Sequence, residues 1–286
     1  MPSVVVHLGA HKTATTYLQK RLRSASTHLD EIGVQYIPME RFRRRVTRFM
    51  RDTLREPGNE GVLAERMAEF VRPSPRSILL SDENILGTCS QIVKSGRLYP
   101  ELTERIQLLA RHVPADGKFV LAIRNYPDFL ASVYCEALLW MPFQPFAAFL
   151  KRFALDDGLW VRVVNDIVKA VGQERLRVFP FEAMPNRFPD LLSELLNRPF
   201  DIARIPDSDE KRAGFTGQAV AALAEIAEAL DPSATPRLAP LAARWFPRTA
   251  QTPRFDPWSP DEAGRLGKLY QDHLVELETA YPGITI

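Results

Sequence analysis

The chain has 286 residues, of which 45% are hydrophobic and 25% charged, the composition of a globular protein rather than a disordered or fibrous one. A formal net charge of +2 excludes a global field for nucleic acid, and two cysteines, Cys89 and Cys135, are too few for a disulfide framework or a cysteine-rich zinc site. No apolar run is long enough to span a bilayer, and Val4-Val5-Val6 is too short for the core of a secretion signal, so a cytoplasmic enzyme is expected.

Ser3 to Leu8 reads as a short buried strand, within which His7 packs or hydrogen-bonds. Gly9, Ala10, His11, Lys12, Thr13, Ala14, Thr15 and Thr16 form a loop, and a helical pattern then runs from Ala14 to Asp30, with Leu18, Leu22 and Leu29 near one side. Strand, loop and helix in that order make an anion site. The N–H groups of a helix start point outward and its dipole favours negative charge there. Lys12 adds a cation, and Thr13, Thr15 and Thr16 add hydroxyl donors. The register is not that of a nucleoside-triphosphate loop, which sets four residues between its first glycine and Gly-Lys-Ser/Thr.

Val34–Ile37 reads as a second strand. Arg41, Arg43, Arg44, Arg45 and Arg48 follow within eight positions. They read either as a seat for an anionic acceptor, such as an acidic sugar or lipid headgroup, or as a solvated face balanced by Glu40, Asp52 and Glu56, which is the usual fate of a charge run. A helix is expected over Asn59–Arg72, broken by Pro73 and Pro75, and then a strand over Ser77–Leu80. Ser81-Asp82-Glu83-Asn84 lies at that strand's C-terminal end, where ligands collect in open α/β sheets. Ser81 or Asp82 suits a helix cap. Glu83 suits a general base, with partial shielding expected to raise its carboxyl.

Glu101–His112 reads as a helix and Lys118–Arg124 as the strongest strand, after which Asn125-Tyr126-Pro127-Asp128 opens a helix to Leu139. Arg124 offers fork-shaped donors to phosphate oxygens, and Ser132 faces back toward the strand end. The aromatic run from Leu138 to Phe153 is expected to be mostly core, with Trp140 and Met141 as acceptor-pocket candidates. A helix over Trp160–Val171 and a strand over Arg175–Phe179 come next, and Glu182 suits a structural role. Lys211 and Arg212 precede a helix over Gln218–Leu230, another phosphate-compatible arrangement. Pro232–Pro257 reads as mostly irregular around a short helix at Leu238–Trp245, and Ser259-Pro260-Asp261-Glu262 starts a last helix to Thr279. Alternating strands and helices predict a single α/β domain over 1–286, with a mostly parallel central sheet, helices on both faces and a helical C-terminal third.

His7, Gly9, His11, Lys12, Thr13, Thr15 and Thr16 resemble the 5′-phosphosulfate loop of the sulfotransferases, whose bacterial members often read His-x-Gly-x-His-Lys-Thr-Gly-Thr-Thr. Ala14 departs from the pattern where glycine is usual. Arg124 and Ser132 resemble the family's second signature, with Tyr126 as a one-residue difference, and Ser81-x-Glu83 resembles a third segment. The resemblance implies a P-loop-NTPase-like sulfotransferase fold. The implied donor is 3′-phosphoadenosine 5′-phosphosulfate (PAPS), and the product is 3′-phosphoadenosine 5′-phosphate (PAP). It implies that Gly9 to Thr16, Arg124, Ser132 and Arg212 hold the nucleotide, that Lys12 is catalytic, and that Glu83, with His11 second, is the base. It calls for no metal and no nucleic acid. The acceptor is a hydroxyl or amine of a small molecule, glycan or lipid, and the oligomeric state stays open. The rival readings are a nucleotide-kinase-like phosphotransferase and a non-catalytic nucleotide-binding protein with a degenerate site, which Ala14 would favour.

Overall fold

The computed structural model describes residues 3–71, 76–155, 158–201 and 214–286. In chain order these form β1 (Val4–His7), α1 (Thr15–Ser24), α2 (Ser26–Glu31), β2 (Val34–Ile37), α3 (Met39–Phe42), a π-helical turn over Arg43–Thr47, α4 (Arg48–Arg55), α5 (Glu60–Val71) and β3 (Ser77–Ser81). There follow α6 (Cys89–Ser95), α7 (Leu102–Ala110), β4 (Lys118–Ile123), α8 (Tyr126–Ala137), α9 (Phe146–Leu150), α10 (Leu159–Val171), β5 (Leu176–Pro180) and α11 (Met184–Leu196). The last helices are α12 (Gly217–Ala229), α13 (Thr235–Trp245) and α14 (Pro260–Ala280).

The strands form one parallel sheet in the order β2-β3-β1-β4-β5. Successive side chains point to opposite faces, and both faces are covered, which is why the strands read as continuous apolar runs. Val4, Val6 and Leu8 pack with Ile78, Leu80, Phe119 and Leu121 into the larger core, with residues of α5 to α8 and α10. Val5, Leu79 and Val120 turn the other way, onto Leu18 and Leu22 of α1, Leu29 of α2 and Leu191, Leu192 and Leu195 of α11. The expected α/β architecture, with a parallel sheet between helical layers, is therefore present.

β1 lies in the middle, with β3 on one side and β4 on the other. The chain proceeds to opposite sides from β1, and a crevice opens at such a switch point beyond the carboxyl ends of the strands. The loop after β1, the Asp82–Ile85 turn after β3 and Arg124–Asn125 after β4 all meet there.

Three elements differ from the sequence expectation. The helix expected over Ala14–Asp30 is two helices parted at Ala25, which is flanked by Ser24 and Ser26, whose hydroxyls compete for backbone hydrogen bonds. The Cys89–Ser95 helix was not anticipated, although Thr88 and Gln91 form a full capping box at its start. In the proline-dense stretch, α13 begins at Thr235 rather than Leu238, with Pro236 accommodated in its first turn. Elsewhere the aromatic run behaves as expected: Phe149 and Phe153 are buried, and Trp140, Met141, Phe143 and Phe146 pack half-buried against the core. Among the described residues no helix is long and apolar enough to cross a membrane.

Candidate active site

The loop after β1 owes its path to three backbone positions. Gly9 has φ +33°, and a Cβ there would lie 2.7 Å from His7 Cε1 and 3.0 Å from Thr15 Oγ1, so a side chain is excluded on space as well as angle. His7 is fully buried, and its Nδ1 is 2.9 Å from Ser81 Oγ on the neighbouring strand. Burial lowers its pKa to about 4, so the ring is neutral and structural, as its place in the strand implied.

Lys12 (φ +68°) and Ala14 (φ +55°) both take left-handed conformations. Such turns aim successive N–H groups into one concavity, a common anion nest. Thr13 Oγ1 donates to the Ala10 carbonyl (2.6 Å), closing the loop from inside, and Thr15 Oγ1 lies 3.4 Å from the same oxygen. α1 then starts at Thr15 with no side-chain cap. The N–H groups of a first helical turn have no partner within the helix, so they are available to an anion. Ala14 thus adopts the angle at which glycine is usual, at a steric cost of about 1–2 kcal/mol. Ala14→Gly is expected to stabilise the protein by about 1 kcal/mol, read as a raised urea midpoint with unchanged slope. A lowered midpoint would contradict the strain assigned to this position.

Lys12 Nζ sits 3.0 Å from Glu136 Oε2 on α8, with the two side chains 22% and 31% exposed. The lysine anticipated as a mobile cation therefore has a resting partner. Glu136 lies one turn beyond Ser132, which is half-buried on the same helix. Arg124 ties the loop to β4: its Nη1 donates to the Lys12 carbonyl at 2.8 Å, and its Nη2 is 3.4 Å from Asp128 Oδ2. Its guanidinium carbon lies 5.0 Å from the centre of the Phe181 ring, and its Nε is buried without a partner among the described residues. Burial, helped by nearby Arg254 and opposed by Asp128, lowers the guanidinium pKa. Arg254 is 2.5 Å from the other oxygen of Asp128. Two arginines thus share the Asp128 carboxylate at the β4 end, with Glu182 the second acid nearby. Lys211 and Arg212, expected in this role, lie outside the described residues.

His11 is clamped. Its backbone N–H donates to Tyr99 Oη (2.9 Å), Nδ1 lies 3.2 Å from the same hydroxyl, and Nε2 lies 3.0 Å from Asn84 Oδ1. This network assigns a neutral ring with the proton on Nε2, donating to Asn84, while Nδ1 accepts from Tyr99. Burial lowers the pKa in the same sense, against the pull of Glu83. Both ring nitrogens are spent on protein partners. Tyr99 itself is fully buried and left-handed (φ +48°).

Glu83 starts a short turn (Glu83–Ile85) capped by Asp82, whose side chain accepts from the Asn84 N–H. Glu83 Oε1 is 3.0 Å from Arg43 Nη2, and Gln19 Nε2 of α1 donates to Oε2 at 3.3 Å. Here the structure corrects the expected pKa. Burial does raise the Glu83 carboxyl, but Arg43 and the residue's own backbone N–H outweigh it and leave the group below the ordinary value of 4.5. The Glu83 carboxyl is thus held on the ionised side rather than poised near neutrality. Asp82 has a fully buried side chain. Its Oδ1 accepts from Arg43 Nε (3.0 Å) and Nη2 (2.5 Å), and burial raises its pKa against that pairing. From α7, the buried Arg105 donates to the carbonyls of Ile85 (2.8 Å) and Asn84 (2.9 Å), pinning the turn from behind.

Gly9 to Thr16, Glu83 and Arg124, named from sequence, therefore come together beyond three strand ends, and Ser132 lies one turn before Glu136 on α8. Tyr99, Glu136, Arg105 and Arg254 join them without having been assigned a place in the site, and Arg43 joins from the arginine cluster. Helical spacing from Ser132 could have pointed to Glu136, whereas nothing local marks Tyr99 or Arg254. Glu182 plays the structural part expected of it: Oε1 accepts from Asn125 N (2.9 Å) and Nδ2 (2.8 Å), and Oε2 from Tyr270 Oη (3.0 Å) on α14.

The fold is that of the doubly wound α/β proteins, with a left-handed turn between the central strand and the first helix. No protein-family model and no curated protein matches the chain. Among solved structures, a sulfotransferase from Alicyclobacillus acidocaldarius is similar at 13% identity, covering 84% of this chain and 96% of that one with a TM-score of 0.43. The sulfotransferase domain from the curacin biosynthetic pathway is similar at 12% identity, covering 95% and 98% with a TM-score of 0.42. Likeness at this level says nothing of activity or ligand.

Proposed function

We propose that this protein is a sulfotransferase that moves a sulfuryl group from PAPS to a hydroxyl or amine of an acceptor. One observation carries the reading above the others: an uncapped helix start, a left-handed turn and Lys12 lie beside Arg124, whose buried Nε has no partner among the described residues. That pairing suits a ligand with two separate anionic groups, a phosphosulfate at the loop and a 3′-phosphate at Arg124 and Ser132, with Arg254 within reach of the same end.

In the proposed reaction the bond between sulfur and the bridging phosphate oxygen breaks as a bond to the acceptor atom forms. Glu83 takes the proton that the acceptor loses and later returns it to solvent. Charge accumulating on the leaving phosphate oxygen is met by Lys12 and the first-turn N–H groups of α1, preorganised donors in a partly dry crevice. Lys12 must turn from Glu136 to do this. His11, held by Tyr99 and Asn84, keeps the loop and the Glu83 turn in register.

The kinase reading needs a carboxylate for magnesium. Its candidate, Asp82, is fully buried, with Oδ1 on Arg43 and the Asn84 N–H and Oδ2 without a partner among the described residues, so titration with magnesium-ATP beside PAP separates the two readings. The degenerate-site reading leaned on Ala14, yet Ala14 takes the angle a glycine would.

Arg124→Ala is expected to weaken PAP roughly tenfold or more, by loss of a charge-assisted fork. It should weaken adenosine 5′-phosphate less, since that ligand loses only the support Arg124 gives the Lys12 carbonyl. Calorimetry on both ligands checks this, and equal losses would contradict the assignment. The function itself is tested by incubating the protein with radiolabelled PAPS and cell extract, then identifying the labelled product by mass spectrometry. Incorporation that depends on Lys12 supports the reading. Tight PAP binding with no transfer to any acceptor would favour the non-catalytic one.

A further inference from the structure

Helices α3 and α4 and the π-helical turn between them form one uninterrupted helical run from Met39 to Arg55, since the joining residues Arg43, Thr47 and Arg48 all keep right-handed helical angles. Between 41 and 55 every fully exposed position on it is an arginine: Arg41, Arg44, Arg48, Arg51 and Arg55. They share the solvent side of the run over about 21 Å, with the π-helical turn at Arg43–Thr47 shifting the angle between Arg41 and the arginines after it. The intervening residues Phe42, Val46, Thr47, Met50 and Thr53 are buried. A generic solvated face mixes acids, bases and neutral polar residues. Here arginine dominates, with Glu40 and the half-exposed Asp52 as the acids on the run.

The neighbouring acids are largely engaged elsewhere. Glu69 pairs with Arg45, and Glu40 with Arg23. Asp52 lies 3.5 Å from Arg51 in an exposed contact, and Glu101 and Glu104 border a shallow groove with Arg51, Leu54 and Arg55 at the far end of the row. Arg41 lies 5.3 Å over the Phe70 ring. Arg44, Arg48 and Arg55 have no ion pair among the described residues. The helical run itself abuts the crevice, because its Arg43 turns inward to contact Glu83.

We propose that this arginine row binds a linear acidic polysaccharide and leads it to Glu83 as the acceptor of the transfer. The inference rests on the sulfotransferase reading for the word acceptor, but the binding surface stands without it. Guanidinium forks pair bidentately with carboxylate and sulfate groups, and a row at regular intervals suits charges repeated along a chain. A membrane is the poorer partner. The exposed large apolar residues, Val62, Leu139, Leu230, Leu241, Trp245 and Val275, all lie off this helical run, so the row has nothing to insert. Single-stranded nucleic acid is also poorer, because no exposed position in the row is aromatic and no stacking platform lies on it.

The test is fluorescence anisotropy of a labelled linear oligogalacturonate, run beside a neutral dextran oligosaccharide, phosphatidylglycerol vesicles and a single-stranded oligonucleotide of matched charge. The wild-type protein is expected to bind the oligogalacturonate best, with affinity that falls steeply as salt rises. The variant R44Q/R48Q/R51Q/R55Q is expected to bind it roughly tenfold or more weakly. PAP affinity by calorimetry should be the same in both, since none of these residues touches the loop. If the fourfold variant fails to fold by circular dichroism, R48Q alone is expected to weaken binding roughly threefold. Equal binding by wild type and variant would overturn the proposal, as would tighter binding to vesicles or to the oligonucleotide. If the oligogalacturonate binds through the arginines but PAP does not bind the wild type, the surface stands and its role as acceptor site falls with the transferase reading.

Discussion

Replacing Lys12 with alanine is expected to lower sulfuryl transfer by roughly 10²–10³-fold or more while leaving the fold nearly intact. The lysine is the side-chain cation of the loop, and in the proposed reaction the charge on the leaving phosphate oxygen builds beside it. Its contribution to stability is small. Its ion pair with Glu136 is partly exposed on both sides, and pairs of that kind contribute about 0–1 kcal/mol. The backbone at position 12 is left-handed for lysine and alanine alike, so the substitution adds no new strain. The check is transfer rate and urea midpoint on the same preparation. Wild-type turnover in the variant would remove Lys12 from the mechanism. Loss of turnover with a collapsed midpoint would mean that the lysine acts through folding.

Glu83→Gln is expected to lower kcat by roughly 10²–10⁴-fold, the span of general acid–base catalysis, with PAP affinity little changed. The carboxylate is held by Arg43 and Gln19 without direct support from the loop, so a glutamine can occupy its place. The sign of its pKa shift gives a second readout. Because the folded value lies below the ordinary 4.5, the base stays ionised as pH falls through that value, and the rate should decline only at lower pH. Arg43 is the main attraction behind this, so Arg43→Gln should move the decline to higher pH. A Glu83→Gln enzyme at full rate, together with a His11→Ala enzyme that loses it, would exchange the two roles despite the hydrogen bonds that now occupy both ring nitrogens of His11.

Much of the fold was legible because its signals are local. Each strand is a short apolar run bounded by a turn or proline, and the observed strands fall within a residue of where the runs predict them. Alternation with helices then implies parallel pairing, since parallel strands need crossovers. The placement of the candidate residues was legible where they follow a strand directly, as at Gly9–Thr16, Glu83 and Arg124. It was not legible where a distant residue supplies a partner. Tyr99 reads as one more core aromatic, yet it holds His11 across 88 positions of sequence. Arg254 sits in a proline-dense stretch without periodicity, and it reaches Asp128 because Phe255 N–H bonds the Phe215 carbonyl and Trp258 Nε1 bonds the Pro127 carbonyl. The Glu83 pKa was misjudged for the same reason. The arginine that sets it is 40 residues upstream and was read as part of a surface charge run.

The arginine cluster shows how one stretch can carry both expected readings. Arg43 is drawn inward to Asp82 and Glu83, Arg45 pairs with Glu69, and the exposed positions alone form the row. Sequence spacing did not separate these groups because the turn over Arg43–Thr47 is π-helical, which shifts the angular register of everything after it.

The central claim is that the Gly9–Thr16 loop and Arg124 together hold a nucleotide with a 3′-phosphate. It is tested most directly by calorimetric titration of the protein with PAP and, separately, with magnesium-ATP, which lacks that phosphate. The expected result is saturable binding of PAP, with ATP roughly tenfold or more weaker. ATP binding as tightly as PAP, or more tightly, would contradict it.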